Sequence, residues 1–129
     1  MKYPLKIPKP KVPNAMKTEV ETKAQALIES YLKPTYVLPP PTGSDSNYIV
    51  DIYGLWYRNY FYFCSKYCCP GPHAIAPFFE DRFARMEYLA SGRFNLAYMR
   101  YTGQWWPSDA NFSLDQCLNA IKVGPWFRP

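Results

Sequence analysis

The sequence predicts an α+β domain of two layers. A four-stranded antiparallel sheet, built from two hairpins, carries a helix before it and a helix after it, in the order α-β-β-β-β-α. Three observations predict this. Capping-box tetrapeptides, Thr18–Glu21 and Ser113–Gln116, each precede apolar residues at helical spacing. Between them lie two pairs of Tyr-, Phe- and Val-rich runs whose side chains alternate in character. Turn chemistry separates the runs, at Arg58-Asn59 and at Ala90-Ser91-Gly92-Arg93. Helices gathered on one face of an antiparallel sheet are how such a chain buries both kinds of element. A length of 129 residues suits one domain. A domain of that size buries roughly two thirds of its unfolded surface, so neither metal nor disulfide is required.

Residues 1–13 form an arm. Pro4, Pro8, Pro10 and Pro13 block helix and favour extended, polyproline-like backbone. Lys2, Lys6, Lys9 and Lys11 put four positive charges there without an acid. Removing them from the 15 Lys and Arg leaves eleven against 10 Asp and Glu, so the basicity belongs to the arm. The domain proper then spans 14–124, with a short tail over 125–129.

Thr18 starts the first helix, or Asn14 does so one turn earlier, and the expected span is 18–32. Val20, Ala24, Leu27, Ile28 and Tyr31 share one face, and Pro34 ends the element. The stretch VLPPPTGSDSN, residues 37–47, is a connector.

Strands follow over 48–57 and 60–67. A two-residue turn puts Tyr57 opposite Tyr60 and Asp51 opposite Lys66, an opposite-charge pair. Alternation then puts Val50, Ile52, Trp56, Phe61, Phe63 and Tyr67 on a core face. Asp51, Tyr53, Leu55, Tyr57, Tyr60, Tyr62, Cys64 and Lys66 take the other face. The second hairpin runs 83–89 and 94–101, with Leu89 opposite Phe94. That register gives a core face of Ala84, Met86, Tyr88, Ala97, Met99 and Tyr101, and a mixed face of Phe83, Arg85, Glu87, Leu96, Tyr98 and Arg100. Gly103 ends the strand. The last helix spans 113–122, with Leu114, Cys117, Leu118 and Ile121 inward and Gly124-Pro125 as its stop.

FCSKYCCPGPH, residues 63–73, gathers three of the four cysteines and the one histidine. Cys64, Cys68, Cys69 and His73 are the candidate metal ligands. In an extended strand Cys64 and Cys68 stand about 13 Å apart, too far to share an ion. The C-x2-C knuckle is absent, so no metal or other cofactor is expected. Cys68 or Cys69 with His73, oriented by Asp81, is the candidate thiol pair, but nothing marks an oxyanion hole. The plainer reading is a strand end leading into a tight loop. No phosphate-binding glycine loop, paired-carboxylate motif or nucleotide fingerprint occurs.

The aromatic load decides the functional reading. Tyr, Trp and Phe make up 19% of the chain, and aromatics with arginine are what protein interfaces favour. The expectation is a non-enzymatic binding module, a small accessory or assembly subunit that docks on a larger protein; association with its own kind also fits. The candidate contacts are Tyr3 and Ile7 in the arm, then Tyr57, Tyr60, Tyr62, Arg85, Tyr98, Arg100, Trp105 and Trp106. A second reading makes the Tyr/Arg sheet face a single-stranded nucleic-acid platform. Against it, the four strands are consecutive, and Arg58–Phe63 matches the RNA-recognition pattern only loosely. The first residues lack the apolar core of a secretory signal and no run reaches membrane-spanning length, so a cytoplasmic location is expected.

Overall fold

The computed structural model describes residues 9–129. Helix α1 (Asn14–Leu27) runs through one π-helical turn (Ile28–Leu32) into a short α2 (Lys33–Tyr36). Five strands follow: β1 (Tyr48–Tyr57), β2 (Tyr60–Cys68), β3 (Phe78–Ala90), β4 (Arg93–Met99) and β5 (Trp105–Ser113). Helix α3 (Leu114–Val123) ends the order. The sheet is one antiparallel meander, β1-β2-β3-β4-β5, and the helices pack on one of its faces.

The α+β two-layer class holds, with five strands where four were expected. The added strand, β5, falls where the sequence reads as loop. Pro107, Asp109 and Asn111 mask it, and Asn111 stands at φ 57°. An edge strand tolerates such residues, because one row of its backbone groups needs no partner. β2 also pairs with β3, from Tyr60↔Glu87 to Cys68↔Phe78, which joins the two expected hairpins into one sheet.

The first hairpin forms in the expected register, with Tyr57 opposite Tyr60 and Asp51 opposite Lys66. Asp51 nonetheless ion-pairs with Lys33, at 3.4 Å. The second hairpin is displaced by one. Tyr88 pairs with Phe94 and Ala84 with Tyr98, because Ser91-Gly92 is a two-residue turn with φ of 52° and 72° and Leu89 bulges out. A one-residue slip exchanges a strand's faces. Phe94 and Leu96 therefore enter the core, while Ala97 and Met99 move to the opposite face. Phe83 is buried as well, at the β2–β3 irregularity, packing 6.2 Å from Phe63.

The helix start also differs. Pro13 is the N-cap, its carbonyl accepting from Lys17 at 3.0 Å, so the Thr18 box is not used as a cap. At the other end the chain stays helical past Pro34. A proline ring clashes with the carbonyl four residues back, and the wider π turn just before it gives that ring room. Ser113 does cap α3 as expected. Its N–H donates to Gln116 Oε1 at 2.8 Å, and Gln116 N–H donates to Ser113 Oγ at 3.1 Å.

The core reaches beyond the expected domain limits on both sides. Val12, assigned to the arm, is 3% exposed, and Phe127, assigned to the tail, is 2% exposed. Both belong to the cluster of Val20, Ile28, Phe61, Phe63, Met86 and Phe94. Lys23 of α1 bonds Asp115 of α3 at 3.0 Å across the helical layer, and that carboxylate raises the lysine's pKa.

Candidate functional site: an aromatic and arginine cluster on the open sheet face

Helices cover one face of the sheet. The other face is assembled by strand alternation. β2 contributes Tyr60, Tyr62 and Cys64, and β3 places Glu87, Arg85 and Arg82 across from them. Next in the row, Ala97 stands opposite Arg85 on one side and Pro107 on the other. This small side chain leaves space for the Trp105 indole, whose ring centre lies 5.8 Å from that of Tyr62.

Arginines stack on these rings. The Arg82 guanidinium lies 4.3 Å from the Tyr62 ring centre. Arg85 lies 5.0 Å from Tyr60 and 5.1 Å from Trp105, so it bridges the two. Lys9 adds its ammonium 4.4 Å from the Tyr60 ring and donates to the Tyr60 hydroxyl. Each such contact contributes about 0.5–2 kcal/mol, more where water is excluded. Arg85 Nε is buried without a hydrogen-bond partner, and among the described residues no arginine is in an ion pair. A shallow cavity of about 310 Å³ opens beside Arg85, lined also by Glu87, Asn95 and Asp109.

Tyr60, Tyr62, Arg85 and Trp105 are thus brought together. Tyr98, Arg100 and Trp106 are not: the register slip turns Tyr98 and Arg100 to the helix-side face, and Trp106 on β5 pairs with Tyr98 there. Tyr98 stacks on Trp126 at 5.5 Å and meets Phe127 edge-on at 6.1 Å. Arg100 lies over Trp106 at 4.6 Å. Tyr57 stands next to Tyr60 in register on the same face, at the β1–β2 turn, with the Arg58 guanidinium 5.3 Å from its ring centre. Tyr3 and Ile7 lie outside the described residues. Arg82 and Lys9 are additions to the expected set: β3 starts at Phe78, ahead of the expected Phe83, which puts Arg82 on the sheet, and Lys9 of the arm contacts Tyr60.

The cysteines occupy different places. Cys64 is 1% exposed under the open face, opposite Tyr53 in register. Burial pushes its thiol up to about 11 and the Tyr53 hydroxyl up to about 12. A thiol held protonated in this way is a poor nucleophile. Cys68 ends β2, where it raises the pKa of the facing Tyr48 hydroxyl through a hydrogen bond. Cys69 N–H donates to the Pro77 carbonyl at 2.8 Å, closing the loop that carries His73. Among the described residues, no three His, Cys, Asp or Glu side chains are grouped to hold a metal ion. Likewise no helix among them is long and apolar enough to cross a membrane.

A family profile matches residues 12–128, from the buried Val12 to the last residue but one. The chain belongs to the DUF3024 family, a domain of unknown function. No curated protein and no solved structure matches it. The limits of the family domain agree with the extent of the core, which runs from Val12 to Phe127.

Proposed function

We propose that this DUF3024 domain is a non-enzymatic docking module and that its contact surface is the open face of the sheet. The observation that carries this reading is the one-sided placement of the helices. It leaves Tyr60, Tyr62 and Trp105 with Arg82 and Arg85 on a face that no element of the described chain covers. Arginines flattened on rings keep their edge N–H groups for a partner, and aromatic and arginine side chains are the usual anchors of protein interfaces. The arm joins this surface at Lys9.

A protein partner fits better than a nucleic acid. Base stacking needs free ring faces, whereas Tyr62 is 7% exposed and lies under Arg82. Glu80 and Glu87 also line the face and repel phosphates.

The test is affinity capture from the native source. One bait is the wild type and the other carries Arg82→Ala, Arg85→Ala and Trp105→Ala. The expected result is a stoichiometric protein partner held by the first and lost by the second. Equal capture by both overturns the assignment of the face. Micromolar or tighter quenching of tryptophan fluorescence by a single-stranded oligonucleotide, lost in the variant, gives the face to nucleic acid instead.

A further inference from the structure

β3 is longer than the strand beside it. It starts at Phe78, but its pairing with β4 runs only from Ala84, opposite Tyr98. Residues 78–83 therefore have β2 on one side and no paired strand on the other. β4 ends at Met99, and the chain turns away at once. Gly103 N–H donates to the Arg100 carbonyl, and Arg100 N–H donates to the Gln104 carbonyl, both at 2.9 Å. The short β4 leaves a notch at this end of the sheet. A cavity of about 510 Å³ occupies it, lined in part by the buried Phe83.

Three arginines also line the notch: Arg82, Arg100 and Arg128. Arg82 comes from the open face and Arg100 from the helix side. Each is held near the notch by its surroundings. The Arg82 guanidinium lies 4.3 Å from the Tyr62 ring centre, and that of Arg100 lies 4.6 Å from Trp106. Arg128 follows directly on Phe127, which the core buries. Stacking fixes the plane of a guanidinium and leaves its edge N–H groups available, so less freedom is lost when a ligand binds.

The charge of the notch is uneven. Asp81 is the one carboxylate side chain among its lining residues, against three arginines. Among the described residues none of these arginines is in an ion pair. General basicity does not explain the gathering, since the chain beyond the arm is nearly neutral. Nor do the other hollows share it. A groove of about 670 Å³ beside α1, over Gly54 and Phe61, carries Glu21 and Glu29. The cavity beside Arg85 carries Glu87 and Asp109.

Unpaired guanidinium groups around a hollow match an oxyanion. A carboxylate has two oxygens, which suit one forked arginine. A phosphoryl group offers three acceptor oxygens and nearly two charges, enough to engage three arginines at once. The volume is that of a small-molecule site and exceeds what a bare phosphate fills. The exposed Tyr101 ring lines the remaining space.

We propose that this notch binds a phosphorylated small molecule, with Arg82, Arg100 and Arg128 on its phosphate oxygens. The site shares Arg82 with the open-face cluster and does not depend on the docking role of that face.

Calorimetric titration of the full chain tests the proposal. The probes are inorganic phosphate and pyrophosphate, at near-neutral pH and at an ionic strength held constant with sodium chloride. Citrate is the control of similar charge built from carboxylates. Pyrophosphate should bind at one site per chain, about tenfold or more tightly than citrate. Arg100 and Arg128 stand outside the docking cluster. Arg100→Ala and Arg128→Ala should each weaken pyrophosphate by about tenfold or more, and should leave capture of a protein partner unchanged. Arg100→Lys keeps the charge and the fold but should still weaken binding, because an ammonium cannot make the forked pair. Asp81→Asn should tighten binding by removing the repelling carboxylate. No saturable binding of either phosphate probe, equal affinity for citrate, or wild-type affinity in both alanine variants overturns the proposal. An oligonucleotide without terminal phosphates that binds more tightly than pyrophosphate through the same arginines also overturns it, by giving the notch to a polymer backbone.

Discussion

Gly54→Ala tests the core at its tightest point. Gly54 faces the helix side of β1, and Phe61 lies across it. A Cβ built at Gly54 would stand 2.4 Å from Phe61 Cζ and 2.8 Å from Cε2, well inside contact distance. The ring is held: Trp56 meets it edge-on at 5.3 Å and Phe63 at 5.4 Å, and Phe61 is 1% exposed. Forcing an extra methyl into a filled core costs about 1–3 kcal/mol. Alanine recovers about 0.5–1 kcal/mol of that, because glycine loses more freedom on entering a strand. The groove beside the ring offers some relief, so the net loss should be about 1–2 kcal/mol. For a domain of this size that lowers Tm by about 4–8 °C. The assay is thermal unfolding by circular dichroism, for Gly54→Ala, Phe61→Leu and the double variant. The double variant should be more stable than the sum of the singles predicts, by at least about 0.5 kcal/mol. An unchanged or raised Tm for Gly54→Ala, or strict additivity, would refute the reasoning that Phe61 is fixed over the glycine.

The other predictions concern the chain ends and the thiols. Val12→Ala should cost about 1–3 kcal/mol in chemical denaturation, as for a buried core side chain; an exposed-arm residue would cost nothing. Ellman's reagent at pH 8 should label Cys68 and Cys69 in the native protein, and label Cys64 and Cys117 only on unfolding. Burial pushes those last two thiols to about 11 and about 12, which leaves a thiolate fraction of at most about one in a thousand. Stability should also fall at alkaline pH. A raised folded pKa means the fold prefers the protonated thiol, so this contribution is intact below the ordinary value of 9.0 and lost as pH climbs towards 11–12. Tm measured from pH 7 to 11 should decline above pH 9, and less steeply in a Cys64→Ala, Cys117→Ala double variant. Prolonged dialysis against a chelator should leave Tm unchanged; a fall of more than about 4 °C, roughly 1 kcal/mol, would point to a bound metal.

Local chemistry made part of this fold legible from the chain alone. The Ser113 box and the β1–β2 register were readable because each rests on residues adjacent in sequence or joined by a two-residue turn. The α+β class followed from the periodicities. What the sequence could not decide were choices made between distant or competing partners. Ser91-Gly92 was readable as a turn, but whether its flanking strands met directly or through a bulge at Leu89 depended on the core. Burying Phe94 and Leu96 won, and that reversed the faces of Tyr98 and Ala97. Three of the ten expected contact residues, Tyr98, Arg100 and Trp106, therefore stand on the helix side, away from Tyr60, Tyr62 and Arg85. β5 was hidden because only pairing with β4 holds Pro107 in a strand and accommodates Asn111, at φ 57°, in an irregularity of the ladder. Pro34 looked like a helix stop until the π turn before it made room. The Arg82–Tyr62 and Arg85–Trp105 stacks join residues from separate strands, so their existence waited on the pairing of β2 with β3 and of β4 with β5. Residue chemistry fixed which elements could form, and the packing of one element on another chose the face each side chain shows.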